Sequence, residues 1–98
     1  MQSIWKYEIP EDVEFTIDIP GAYSPLKVDI QGGKECFWVM IYDTEVEVIT
    51  RHFLSIGTGW DIDILAKGRQ IFYIGSIIRP DGLVKHIWAV EPGKVEVA

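Results

Sequence analysis

The residues of this chain that could do chemistry gather in one stretch, Arg51-His52-Phe53-Leu54-Ser55-Ile56-Gly57-Thr58-Gly59-Trp60-Asp61. A hydrophobic run enters a Gly-Thr-Gly turn, and an aromatic ring and an acid follow at once. Glycines let a backbone approach a ligand closely, and successive amides in such a turn can form an anion-binding nest. Trp60 would then stack on a base or a sugar. The plainer reading, and the expected one, is a β-turn that needs positive φ, with Trp60 covering the end of a β-structure. Gly57-Thr58-Gly59 matches neither the dinucleotide fingerprint nor the P-loop, which need longer spacing and a following helix.

Cations near this stretch decide what it can hold. Arg51 stands between Ile49 and Phe53 on a face of mixed polarity. A guanidinium in apolar company suits a phosphate, which it grips with two donors, or a partner surface. A cross-strand ion pair with one of the many acids is the equal alternative. Arg79 and Lys85 flank the last hairpin and add charge if they lie at the same end.

The remaining polar groups give little. His52, with Thr50 and Leu54 on its face, is expected to be a hydrogen-bonded core residue, and so is His86 between Val84 and Trp88. Asp61 and Asp63 point the same way if the chain is extended there, an arrangement that suits acid–base or Mg²⁺ chemistry. A solvated turn is the plainer account. Cys36 lies in a hydrophobic strand, where a thiol is inert. It is the only cysteine, so neither an intrachain disulfide nor a usual all-protein zinc site can form. The residues assemble no nucleophile–base pair, no metal site and no cofactor site, and a non-enzymatic protein is expected.

Composition bounds the rest. With 98 residues, 48% hydrophobic and 12% aromatic, the chain makes one domain, 1–98, with a real core. Fifteen acids against nine bases leave a formal charge of −6. That field repels phosphate backbones and anionic lipid, which argues against duplex nucleic acid and membrane surfaces as partners. A pocket with two or three local cations can still bind a small anion. No apolar stretch approaches the roughly 20 residues of a spanning helix, and no signal-peptide pattern opens the chain. A cytoplasmic protein is expected.

Turn signals and alternation set the elements. Ile4–Ile9 and Val13–Ile19 alternate, the second with Phe15, Ile17 and Ile19 inward; Leu26, Val28 and Ile30 form a third inward set. Gly32-Gly33 marks a hairpin into Cys36–Tyr42, which is apolar on both faces and reads as a central strand covered on both sides. Val46, Val48, Thr50, His52, Leu54 and Ile56 share one face of the next strand. Asp61–Ala66 is a short strand or one helical turn. Gln70–Ile78 is a strand in which Gly75 signals a bulge or a close backbone approach. Arg79-Pro80-Asp81-Gly82 is a type I turn closing onto Leu83–Val90, and residues 94–98 are a tail or a short edge strand. Seven to eight short strands predict an all-β fold, a small antiparallel sandwich or a partly open barrel. Trp5 and Trp60, near strand ends, are expected to be half exposed. Exposed aromatics of this kind suit a homo-oligomer or a partner protein.

These landmarks together resemble a family of small proteins encoded by bacteriophages and prophages. The resemblance rests on Ile4-Trp5-Lys6-Tyr7-Glu8-Ile9, Ile17-Asp18-Ile19-Pro20, Leu26-Lys27-Val28, Cys36-Phe37-Trp38, Gly57-Thr58-Gly59, Tyr73-Ile74-Gly75-Ser76 and Gly82 to Trp88. In that family histidine often follows the Gly-Thr-Gly, where this chain has Trp60. The resemblance implies a phage accessory protein in the host cytosol acting against host defence. Such a protein would sequester a nucleotide-derived immune signal or cap a host defence protein; a virion or assembly component is the further alternative. In the first case the nucleotide-like ligand would lie near Gly57, Thr58, Gly59 and Trp60, with Arg51, Arg79 or Lys85 meeting its phosphates.

Overall fold

The computed structural model describes residues 1–91, which form seven strands and one helical turn. The strands are β1 (Ser3–Glu8), β2 (Glu14–Pro20), β3 (Tyr23–Gln31), β4 (Lys34–Ile41), β5 (Val48–Gly57), β6 (Ile71–Ile78) and β7 (Val84–Val90); α1 is Ile62–Ala66. They build two antiparallel sheets, β1-β4-β3 and β2-β5-β7-β6, packed face to face without closing into a barrel. The expected sandwich is therefore what forms. The tail at 94–98 lies outside the described residues.

Local chemistry accounts for most of the connections. Gly32 and Gly33 take φ of 60° and 79°, the mirror-image turn geometry that joins β3 to β4 as a tight hairpin. At the other hairpin the Gly82 amide donates to the Arg79 carbonyl and the Arg79 amide to that of Leu83, closing β6 onto β7. Gly75 meets both expectations for it. A register shift marks a bulge between Tyr73 and Gly75, and a Cβ there would come within 2.7 Å of Val28 Cγ2 on β3.

The core lies between the sheets. Phe15, Ile17 and Ile19 of β2 alternate inward against Phe37, Val39 and Ile41 of β4. Phe53 stacks on Phe15 at 5.4 Å and meets Phe37 edge-on at 5.5 Å. Val28 is buried as expected, but Leu26 is half exposed, because the β3 ladder slips between Pro25 and Lys27 and extrudes it. β4 is central in its sheet but covered on one side only: Trp38 and Met40 on its outer face remain partly exposed.

β5 departs most from its sequence reading. The inward face carries Phe53 and Ser55, while His52 is exposed and Thr50 and Val48 are exposed beside it. His52 is therefore not a core residue. Leu54 and Ile56, on the opposite face, are buried by a second small core with Ile62 and Leu65 of α1, Trp88 and Val90. That cover makes β5 apolar on both faces, so alternation alone cannot say which face is inward.

Asp61–Ala66 resolves as a helical turn. Asp61 is its N-cap and accepts from the Ile64 amide at 3.1 Å, a role that explains the acid after Trp60. Lys67 ends the turn in the left-handed region, and Arg69 donates to the freed carbonyls of Ala66 and Leu65. The same guanidinium binds Glu14 Oε1 at 2.6 Å, tying α1 to β2.

The Arg69 hydrogen bond holds the Glu14 carboxyl below its usual range, against a weaker opposing effect of burial. A depressed carboxylate pKa adds stability above the ordinary glutamate range and loses it as pH falls through the lowered value. The pair is partly exposed, so the increment is at most about 1 kcal/mol. Glu14→Gln should remove that acid-side slope from urea titrations between pH 6 and pH 3. An unchanged slope would show that Arg69 serves only as a helix cap.

Candidate functional site

Arg51 enters from β5 into the space between the sheets, near the corner where β2 turns into β3. Its Nη2 donates to the Gly21 carbonyl at 2.8 Å, and its guanidinium carbon lies 5.5 Å from the centre of the Tyr23 ring. Gly21 is required at that corner, because its φ is +55° and a Cβ would fall 2.5 Å from Val46 Cγ2. Neither sequence reading of Arg51 included this stitch. Its Nε is buried and has no acceptor among the described residues. A buried donor left unpaired costs about 1–3 kcal/mol, which a ligand acceptor or a water would offset.

Beside this guanidinium opens a cleft of about 250 Å³, whose walls include Tyr23, Ile49, Arg51, His52, Phe72 and Glu91. Ile49 and Phe72 are exposed apolar side chains there. Burial pushes the Tyr23 hydroxyl pKa up, with the Arg51 charge pulling partly back, so Tyr23 stays a neutral donor and acceptor. Drug-sized ligand pockets run to about 300–1,000 Å³. This cleft has room for one ring or one acidic group, with the rest of a larger ligand outside.

The other candidate residues lie elsewhere. Gly57 is six residues along β5 from Arg51, about 20 Å away at strand rise. The Trp60 indole packs over Gly57, where a Cβ would come within 2.6 Å of the ring, and the Trp60 amide donates to the Gly57 carbonyl. Only Gly59 of the two loop glycines has positive φ, at 89°. Trp60 thus caps the end of the sandwich, remaining 44% exposed, as Trp5 is at 37%. Both match the half-exposure expected of them.

Arg79 and Lys85 reach the same end as Gly57 but spend their charge on Glu35 of β4. Lys85 is buried between the sheets and donates to Glu35 Oε2 at 3.4 Å; Arg79 Nη1 is 3.9 Å from the same oxygen. Arg79 also pairs with Asp81 at 3.2 Å. A second cleft, about 360 Å³, opens beside Glu35 and Arg79, but Glu8, Glu11 and Glu35 also line it and disfavour an anion. Arg51 is thus not brought together with Arg79, Lys85 or the Gly57–Trp60 loop.

One constellation escaped the sequence reading. On the outer face of the larger sheet, His86 Nε2 lies 2.8 Å from Thr58 Oγ1, and its Nδ1 lies 2.7 Å from Ser76 Oγ. Ser76 Oγ is in turn 2.6 Å from the Tyr73 hydroxyl. His86 is hydrogen-bonded as expected, but on a half-buried outer surface and not in the core. Ser76 pairs with His86 across β6 and β7, a register that follows from the Gly75 bulge. The sequence signal was that bulge together with the short Arg79–Gly82 turn, counted back to place Ser76 opposite His86. Among the described residues no three potential metal-ligating side chains converge, and no helix is long and apolar enough to cross a membrane.

No curated protein and no solved structure matches the chain. Residues 1–97 match the model of a domain of unknown function, DUF7352, and the chain belongs to that family.

Proposed function

We propose that the protein is a binding protein that sequesters a small anionic, nucleotide-like ligand, with the Arg51 cleft as its site. The observation that carries the reading is Arg51, whose buried Nε has no acceptor among the described residues, in the wall of a cleft with exposed Ile49 and Phe72. The acidic group would enter the cleft and meet the guanidinium, while the planar ring rests outside against its exposed apolar rim. The resemblance to phage accessory proteins supplies the setting, in which the ligand is a nucleotide-derived immune signal and the protein acts in the host cytosol. The Gly57–Trp60 loop and the Glu35-bound pair Arg79 and Lys85 are too far along the sheet to share so small a ligand with Arg51.

Calorimetry with cyclic nucleotides and ADP-ribose derivatives tests this directly. Arg51→Ala should weaken binding about 10- to 100-fold, the worth of lost hydrogen bonds to a charged group, while the domain stays folded. No heat from any of these ligands, with the folded protein still blocking defence, would overturn the reading. That result would favour a protein target. The exposed side chains of Ile4, Leu26 and Ile78 support such a second reading, in which the protein caps a host defence component or pairs with a second copy.

A further inference from the structure

The geometry points to Ser76 as a reactive nucleophile toward small carboxylic esters, with His86 as its base, a function separate from ligand binding at Arg51. Hydrogen-bond directions around the imidazole can be assigned from its neighbours. Thr58 Oγ1 reaches the Val84 carbonyl at 3.5 Å, an acceptor only, so the Thr58 hydroxyl donates there and accepts from His86 Nε2–H. His86 Nδ1 is then the bare nitrogen and accepts from the Ser76 hydroxyl at 2.7 Å. The Tyr73 hydroxyl completes the chain by donating to Ser76 Oγ at 2.6 Å. Nucleophile, base and a third group that fixes the base's tautomer stand in hydrogen-bonded order. Thr58 takes the positioning role that a carboxylate fills in the familiar triad.

Each step is supplied by these side chains. Ser76 Oγ attacks the ester carbonyl carbon, its proton passes to His86 Nδ1, and the carbonyl π pair moves onto oxygen. Tyr73, released from Ser76 as that oxygen bonds to carbon, donates to the new oxyanion beside it. Collapse breaks the bond to the alkoxy group, which leaves as the alcohol with the proton from His86 Nδ1, and Ser76 carries the acyl group. Water then attacks in the same way, giving the carboxylic acid and restoring the Ser76 hydroxyl. Imidazolium formation keeps the Nε2–H bond to Thr58 intact throughout. Ile78 and Val84, paired across the strands and two residues from Ser76 and His86, share their face; Ile78 is 74% exposed and gives an acyl chain an apolar rest.

The test uses the full chain with a fluorophosphonate probe and, separately, p-nitrophenyl acetate. A phosphonyl adduct is expected on the Ser76 peptide by mass spectrometry, with nitrophenol release above that of the buffer alone. Ser76→Ala and His86→Gln should abolish both, with melting curves confirming that the variants fold. Tyr73→Phe should slow release about 100-fold. Thr58→Val should slow it about 10-fold and Thr58→Ser restore it, the pattern of a positioning hydroxyl. Absence of the adduct on the unmutated protein, or release that persists in Ser76→Ala, would overturn the assignment.

Discussion

Phe53→Ala is expected to cost about 3–5 kcal/mol of folding stability, a large part of what a domain of this size has. Phe53 has no exposed surface, and its ring is the hub of the aromatic core. It stacks on Phe15, meets Phe37 edge-on, and is met by Tyr23 at 6.3 Å. Truncation leaves a cavity that β2, β4 and β5 would all have to move to fill, and β4 and β5, paired on both sides, move little. Urea unfolding followed by tryptophan fluorescence measures the loss. Phe72→Ala is the control: that ring is half exposed at the cleft and should cost under about 1 kcal/mol. Equal losses would place the core elsewhere. Because Tyr23 leans on Phe53 and faces Arg51, the Phe53 variant should also loosen the Arg51 cleft.

Glu35→Ala should be nearly as damaging, at about 3–5 kcal/mol, for an electrostatic reason. The Lys85 side chain is 7% exposed and that of Glu35 is 9% exposed, so their charges face one another largely out of water. Removing Glu35 leaves the Lys85 ammonium without a counter-charge between the sheets. Removing the lysine instead is milder, because Lys85→Met fills the space with an apolar stem and Glu35 keeps Arg79 at 3.9 Å. Replacing both, with Glu35→Gln and Lys85→Met, should come near neutrality, since well-packed residues often match a buried ion pair. Chemical denaturation of the two single variants and the double one reads this order. A Glu35→Ala loss below about 1 kcal/mol would mean that Lys85 escapes to solvent. Glu35 Oε1 is buried without a partner among the described residues, so these leave the pair not fully satisfied even when intact.

Much of the fold follows from local chemistry. β2 was legible because its outward residues Glu14, Thr16 and Asp18 leave one face for the core. The Gly32-Gly33 hairpin and the Arg79–Gly82 turn were legible because only certain residues take their backbone angles. Gly75 announced its bulge and close approach for a different reason, since a side chain there would run into Val28 of β3. The Gly-Thr-Gly turn stood out in the sequence, and the structure makes it the end cap under Trp60, while Thr58 turns to His86.

The inward face of β5 is a tertiary decision. α1 covers Leu54 and Ile56 from outside, so both faces of the strand are apolar, and nothing local separates them. The fates of Arg51, Arg79 and Lys85 were hidden for a related reason. Charge is visible in a sequence, but the carbonyl of Gly21 and the carboxylate of Glu35 that receive it are 30 and 50 residues away from Arg51 and Lys85 respectively. The Ser76–His86 pair needs the bulge, the register and the loop from β5 at once, and only the folded sheet brings the three together. Sequence alone determined where this chain turns and which of its strands can have a dry face. Long-range pairing decided which charges are spent inside and which polar groups meet, because those contacts depend on the register between strands and not on the residues of any one of them.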